Sequence, residues 1–411
     1  MKMALFMYMF ARPIMPMVYK KLIDGNKNGG HIIMKVIAFY LPQFHNIPEN
    51  DEWWGDGFTE WVNVKKSKPL YEGHYQPRVP LNGNYYNLLD DSIKKWQVDL
   101  AKKYGIYGFC YYHYWFSGHM LLEKPMEQML ANKEIDLPFC VCWANEPWTK
   151  AWVGDAKKVL IPQNYGREKE WREHFDYLLP FFKDERYITV DGRPLFVLYR
   201  PEIVGCLNEM LDYWNKLAKE NGFENGFCFA YQNIDFDLAK DKDDSRFDLN
   251  IEFEPLYAYR DMFANQHKYL KAIRRNVSNW VGKHFGIDLL HYGENFFNKN
   301  KPLSYDKAWE AILKRKPESE KNVPGAFVGF DNSPRRGNEA KIYDGATPEK
   351  FEKYMTKQVK RARDVYHSDM LFITAWNEWA ECGYLEPDEK YQYGYLEAIK
   401  NALITNREWE E

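Results

Sequence analysis

Glu378 and Glu381 stand three residues apart in the stretch "TAWNEWAECGYLEPD", residues 374–388, with Trp376, Asn377 and Trp379 around them. The run Met370-Leu371-Phe372-Ile373 ahead of them is apolar and reads as a buried strand. Residues three apart on a strand point to opposite faces, but a helical turn just after Ala375 carries both carboxylates to one side. Two carboxyl groups flanking one small group suit cleavage of a glycosidic bond. One protonates the leaving oxygen and the other serves the far side of the anomeric carbon. The same pair also suits a plain helix N-terminus, where the dipole favours acids. The tryptophans weigh against that simpler reading, because a helix start has no use for them.

Something must hold such a pair in place. Eight short apolar or aromatic runs recur along the chain, at 36–41, 107–112, 138–143, 195–199, 227–231, 249–253, 326–330 and 371–375. Between them lie amphipathic stretches, among them 91–104, 171–182, 204–221 and 348–366. Strands alternating with helices predict parallel βαβ units. Eight such units predict an α/β fold of the (β/α)8 TIM-barrel type with long βα-loop insertions. The insertions are 42–90, rich in Pro, Gly, Trp and Asn, and 254–323, with a basic helical piece from Tyr269 to His284. An open doubly wound sheet is the alternative, but no Gly-rich phosphate loop follows the first strand. The 411 residues fit a barrel of about 250 residues enlarged by insertions. The domain is read as 34–411. Residues 1–33 are read as an extension outside it, since the apolar stretch 4–11 is too short to span a bilayer and lacks a clean cleavage site.

Composition narrows the partners. A formal net charge of -3 offers no basic footprint for nucleic acid or an anionic membrane. Aromatic content is 17%, with 15 Trp and 30 Tyr, and such rings serve both as core and as flat platforms for the C–H faces of sugars. Cysteines 110, 140, 142, 206, 228 and 382 have neither CxxC nor zinc spacing, so they read as buried free thiols in a reducing, cytoplasmic compartment. No metal or other cofactor is expected.

In a barrel the site lies at the carboxyl ends of the strands. In chain order those ends carry Gln43 and His45; His113, Tyr114 and Trp115; Asn145, Glu146 and Trp148; Arg200; Gln232; Glu252; Asp331 and Arg335; and Asn377 with the glutamate pair. Trp54, Glu60 and Trp61 in the first insertion extend the set. Hydrogen-bonding groups beside aromatics at every strand end predict a ring around an oligosaccharide or polysaccharide.

Four stretches carry a family resemblance: "FYLPQFHNIPENDEWWGDGFTEWVNV" at 39–64, "CWANEPWTKAW" at 142–152, "GFDNSPRR" at 329–336 and "WNEWAECGYLEPD" at 376–388. They resemble the WbsX-like family of bacterial surface-polysaccharide clusters over about residues 34 to 400. That family is often labelled glycosyltransferase and is similar to glycoside hydrolase family 99, endo-acting α-mannosidases and mannanases with a (β/α)8 fold. The likeness to family 99 rests on Asn377, Glu378, Trp379, Glu381, Glu386 and Pro387, and departs at Cys382, where that family has glycine. The resemblance implies that Glu378 takes the proton of the substrate 2-hydroxyl, whose oxygen attacks C1 to form a 1,2-anhydro sugar. It implies that Glu381 protonates the leaving group and then activates water, with retention of configuration.

Three other readings stand beside it. A nucleotide-sugar transferase of lipopolysaccharide or capsule synthesis wants Asp-x-Asp after a strand, and "DKDD" at 241–244 is the nearest match, in a charged loop. Glu146 with Glu378 forms a conventional retaining pair, although on distant strands. A non-catalytic glycan-binding protein keeps the cleft without turnover.

Overall fold

The computed structural model describes residues 33–150, 155–233, 244–263 and 302–409. The main sheet is built from β1 (Lys35–Tyr40), β2 (Ile106–Phe116), β3 (Phe139–Trp143), β4 (Arg193–Leu198), β5 (Cys228–Asn233), β6 (Leu249–Glu252), β7 (Asn322–Val323), β8 (Gly325–Phe327) and β9 (Met370–Thr374). Neighbours pair in parallel and follow chain order. β7 and β8 are halves of one stave, divided at Pro324. β7 pairs with β6 and β8 with β9, so the two ends of the sheet meet and eight staves form a (β/α)8 barrel. Gly325 allows that meeting: a Cβ there would lie 1.8 Å from the Glu252 carbonyl oxygen.

Helices follow the staves, and their starts and stops are written locally. The helix Asp91–Tyr104 begins where Asp90 accepts from the Ser92 N–H and ends on Gly105 at φ 84°. Its buried face carries Val98, Ala101 and Tyr104, at helical spacing. Glu168–Phe182, Leu207–Glu220, Tyr305–Lys314, Pro348–Asp364 and Gly394–Thr405 do the same around the barrel.

The pleat sorts side chains between the helices and the barrel interior. On β2, Phe109, His113 and Trp115 face outward, where His113 and Trp115 meet His174 of the helix Glu168–Phe182. Cys110, Tyr112 and Tyr114 alternate with them and face inward. Inside, the rings of Phe39, Tyr112, Tyr199 and Phe253 pack with centroids 5.5 to 6.3 Å apart. This aromatic layer floors the carboxyl end of the barrel. Cys110, Cys140, Cys142, Cys206, Cys228 and Cys382 are buried and free.

Two expectations shift. β2 runs on to Phe116, so His113, Tyr114 and Trp115 lie within the strand instead of after it. The seventh stave begins at Asn322 rather than 326, because Pro324 splits it. The basic piece 269–284 and residues 241–243 of the charged loop lie outside the described residues. The first insertion is described throughout and is tied to the end of the last stave. Leu81 N–H donates to the Pro387 carbonyl at 3.0 Å and the Tyr86 hydroxyl to Glu386 at 2.7 Å.

Two asparagines fasten stave ends together. The Asn377 amide accepts from Leu41 N–H at 2.7 Å and donates to the Leu41 carbonyl at 2.9 Å. Asn145 makes the same two-way contact with the backbone of Arg200, at 2.8 Å each way. Each amide replaces ladder bonds where the strands splay. Asn377→Ala leaves the buried Leu41 N–H and carbonyl without these partners. Unsatisfied groups cost about 1–3 kcal/mol each, so stability should fall by about 2–6 kcal/mol. Urea unfolding with an unchanged m-value measures it, and a loss below about 0.5 kcal/mol would be the size of an ordinary surface change.

Candidate active site

The chain leaves β9 through Ala375 and Trp376 and makes a short antiparallel pair, Asn377–Glu378 with Gly383–Tyr384. Between its arms, Trp379–Glu381 forms one 3-10 turn. The turn closes on Cys382 at φ 53° and ψ 25°, the left-handed region that glycine favours. The cysteine at this position is therefore compatible with a left-handed turn. With Glu378 before the turn and Glu381 at its end, the two side chains come to one side of the backbone.

What they meet there is Arg335. Its Nη1 lies 2.6 Å from Glu381 Oε1, its Nη2 3.3 Å from Glu378 Oε2, and its Nε 3.2 Å from Glu60 Oε2. Three carboxylates, two from one turn and one from the first insertion, converge on three nitrogens of one planar guanidinium, a geometry arginine offers and lysine does not. Arg335 sits on the short helix Ser333–Arg336, which starts where Asp331 accepts from the Ser333 N–H at 2.9 Å. His74 and Gln76 of the first insertion hold the other Asp331 oxygen at 2.8 and 2.6 Å. Burial pulls the Asp331 pKa up, but these hydrogen bonds outweigh it and leave it below the usual carboxylate value.

Exposure separates the three glutamates. The side chain of Glu60 is fully buried, that of Glu378 is 11% exposed and that of Glu381 28% exposed. Burial raises the pKa of Glu378. The Arg335 charge opposes that rise, and Glu381 and Glu60 add to it. Below the pair lie three tyrosines. The Tyr114 hydroxyl accepts from Gln43 Nε2 at 3.2 Å, and the Tyr112 hydroxyl from Gln232 Nε2 at 3.1 Å. Burial raises the pKa of each phenol, and Glu378 raises it further at both. Burial raises the pKa of the Tyr199 phenol, and the charges of Glu146 and Glu381 raise it further. Glu146 is half-buried and paired with Arg200, which also pairs with Glu202. Tyr112, Tyr199, Glu146, Arg200 and Glu381 all keep partial exposure although they lie at the head of the barrel. Carboxylates and tyrosine rings are therefore open to solvent together at the head of the barrel, and this partly exposed region is the hollow of the site.

Several expected ligands are used by the fold instead. Trp376 and Trp379 are fully buried. Trp376 packs on Phe109, and Trp379 stacks on Tyr384 at 3.8 Å and donates to Glu386 at 2.6 Å. Neither presents a face to a sugar. Trp61 is buried against Phe44, Tyr86 and Trp379. Asn145 and Asn377 spend their amides on the stave clamps, and Asp331 spends its oxygens on loop closure. His113 and Trp115 face the helix layer, by the parity of β2. Glu252 also faces outward, where it binds Arg315 at 2.7 Å, Asn322 and the Tyr366 hydroxyl. His45 is buried, and burial pushes its pKa down to about 4. Trp148 packs with Tyr114, Phe116 and the half-buried Trp53 beside the hollow. Trp54 packs near Phe58 in the first insertion. The structure thus gathers Glu60, Arg335, Glu378, Glu381, Gln43, Tyr114, Gln232, Glu146 and Arg200. It adds Tyr112 and Tyr199, which strand parity identifies: Tyr112 lies two residues before Tyr114, on the same face. Among the described residues no group of three or more acidic, His or Cys side chains could hold a metal ion, and no helix is long and apolar enough to cross a membrane.

Comparison with known proteins bears on the fold and the family. The glycoside hydrolase family 99 endo-alpha-mannosidase of Bacteroides thetaiotaomicron aligns with a TM-score of 0.50 at 14% identity, over 91% of this chain and 97% of that one. A glycoside hydrolase-like protein aligns with a TM-score of 0.52 at 12% identity, over 90% and 94%. At such identities the likeness is one of fold. Two curated relatives, the WxcX proteins of two Xanthomonas campestris pv. campestris strains, are uncharacterized and 34% identical over 371 residues. These cover 90% of this chain and 49% of theirs, so the chain spans about half the length of the relatives it matches. The family model described as Glycosyltransferase WbsX matches residues 36–399, and the chain belongs to the WbsX family.

Proposed function

We propose that this protein is a carbohydrate-active enzyme, a retaining and endo-acting glycoside hydrolase that cleaves an α-mannoside-like linkage in a bacterial polysaccharide or glycan. The observation that carries the reading is the juncture of Glu378 and Glu381 on Arg335, above a floor of tyrosine hydroxyls and at the carboxyl end of a (β/α)8 barrel.

The chemistry follows from one shared proton. A pair that must both give and take a proton works with one proton between its two members. Burial and the neighbouring carboxylates favour the proton at Glu378 and Arg335 opposes them, so that proton passes to Glu381 before the first step and leaves Glu378 as the base. In the first step Glu381 protonates the glycosidic oxygen as the C1–O bond breaks. Glu378 removes the proton from the 2-hydroxyl, whose oxygen closes on C1 to give the 1,2-anhydro sugar. The pair begins and ends with one proton, moved from Glu381 to Glu378. In the second step Glu381 takes a proton from water, the hydroxide oxygen bonds to C1, the epoxide C1–O2 bond breaks, and Glu378 returns its proton to O2. Two inversions give retention. The route needs a 2-hydroxyl trans to the leaving group, the arrangement of an α-mannoside.

The name of the family model favours a second reading, transfer to a sugar in lipopolysaccharide or capsule synthesis. The same pair serves it if a sugar hydroxyl replaces water in the second step. Product analysis with and without an oligosaccharide acceptor separates the two, and a requirement for manganese and a nucleotide-sugar would contradict the hydrolase.

Two results are expected. Glu381→Gln should lose about 10²- to 10⁴-fold on natural glycan and much less on substrates with an activated leaving group, which need little protonation. Glu378→Gln should lose a similar amount on both, since a better leaving group does not supply the missing base. Near-wild-type rates in both variants would exclude the pair. Independently, masking the substrate 2-hydroxyl as its methyl ether should abolish cleavage while the glycan still competes for binding. Cleavage of the ether at the rate of the parent would remove the 1,2-anhydro route.

A further inference from the structure

Glu60 is a fully buried carboxylate from the first insertion. One of its oxygens lies 3.2 Å from Arg335 Nε, while the other has no hydrogen-bond partner. A buried carboxylate is expensive unless a charge compensates it, and Glu60 shares its one cation with two further carboxylates. Nothing in the packing of the insertion calls for a negative charge here. The neighbouring Trp61 is already anchored by its N–H to the Tyr86 carbonyl at 2.8 Å, and Glu60 N–H donates to the Gln43 carbonyl.

We propose that Glu60 is a positioning residue of the reaction. It fixes the Arg335 guanidinium edge-on, so that the two remaining nitrogens meet Glu378 and Glu381 singly, and it sets the net charge in which that pair shares its proton. The inference rests on the reading of the pair given above. The geometry is specific. With Nε engaged, the fork of Nη1 and Nη2 faces the two glutamates, which come from the same turn but differ in exposure. Without Glu60 the guanidinium loses its contact at Nε, and a bidentate pairing with one glutamate competes with the one-nitrogen contacts that keep the two glutamates alike.

The charges facing Glu378 are Arg335, Glu381 and Glu60, with the phenols of Tyr114 and Tyr112 beneath it. Their signs give the test. Glu60 and Glu381 strengthen the hold of Glu378 on a proton, and Arg335 weakens it. The activity should fall on the alkaline side as the shared proton leaves. Removing the Glu60 charge lets it leave earlier, and removing the Arg335 charge makes it leave later.

The experiment is the pH profile of kcat/KM for the full chain with Glu60→Gln, Glu60→Asp and Arg335→Gln. Glu60→Gln should move the alkaline limb down by about one to two pH units, the size of a unit charge removed at about 5–10 Å in a partly buried site, with kcat lowered more than KM is raised. Glu60→Asp keeps the charge and should keep the limb, while kcat falls because the shorter side chain draws away from Nε. Arg335→Gln should move the limb up. A limb that stays in place in folded Glu60→Gln overturns the proposal, because a merely structural glutamate lowers the rate without moving the profile. If that variant does not fold, an unmoved limb in Arg335→Gln overturns it instead. If the wild-type chain turns over no glycan, the reading of the pair fails on its own. The Glu60 inference is then read from carbon-13 titration of the Glu378 carboxyl, which must still shift down in Glu60→Gln.

Discussion

The site depends on one cation. Two carboxylates about 5 Å apart repel by roughly 3 kcal/mol at an effective dielectric of about 20, and burial adds to the cost. Glu378, Glu381 and Glu60 meet in such surroundings because Arg335 stands among them. Much of the neighbouring architecture serves to put that guanidinium there. Asp331 starts the short helix that carries Arg335, His74 and Gln76 hold Asp331, and the first insertion that supplies His74 and Gln76 also supplies Glu60. The first, seventh and eighth staves of the barrel are thereby tied at their carboxyl ends by charge as well as by backbone pairing.

A second constraint lies beneath. The aromatic layer of Phe39, Tyr112, Tyr199 and Phe253 packs across the barrel near the pair and brings tyrosine hydroxyls with it. Tyrosine serves both needs: its ring packs with the core and its hydroxyl meets Gln232 or lies among the carboxylates. This arrangement suits a ligand that is itself half apolar face and half hydroxyl edge. It also separates the roles of the aromatics. Much of the high aromatic content is spent on core, with the tyrosines Tyr112, Tyr114 and Tyr199 left at the site.

The barrel was legible because its periodic signals are strong. Eight apolar runs and intervening amphipathic helices survive small boundary errors, such as the stave split at Pro324. That the two glutamates meet on one side was legible from their spacing and flanks, whereas Arg335, expected as a sugar ligand after its strand, pairs with the carboxylates. The side-chain roles around them were harder to read. Trp376, Trp379 and Asn377 sit beside the pair in sequence, but the tight turn that exposes the carboxylates turns these neighbours into the core, where Trp379 binds Glu386 and Asn377 binds Leu41. His113, Trp115 and Glu252 failed for another reason. Position after a strand does not decide which side chain enters the barrel; alternation along the strand does. Asn145 and Asp331 show a third effect: a polar residue at a stave end is as useful for joining loops as for holding a ligand.

The central claim is that Glu378 and Glu381 act together on one sugar held above the tyrosine floor. The most direct measurement is a crystal structure of the full chain carrying Glu381→Gln, with a bound mannose-configured oligosaccharide. The account predicts a glycosidic oxygen facing the side chain at position 381 and the 2-hydroxyl of the same sugar about 3 Å from Glu378, with Tyr112, Tyr114 and Tyr199 beneath the ring. A glycan bound elsewhere, or one whose 2-hydroxyl points away from Glu378 while its linkage lies beside Glu146, would contradict it.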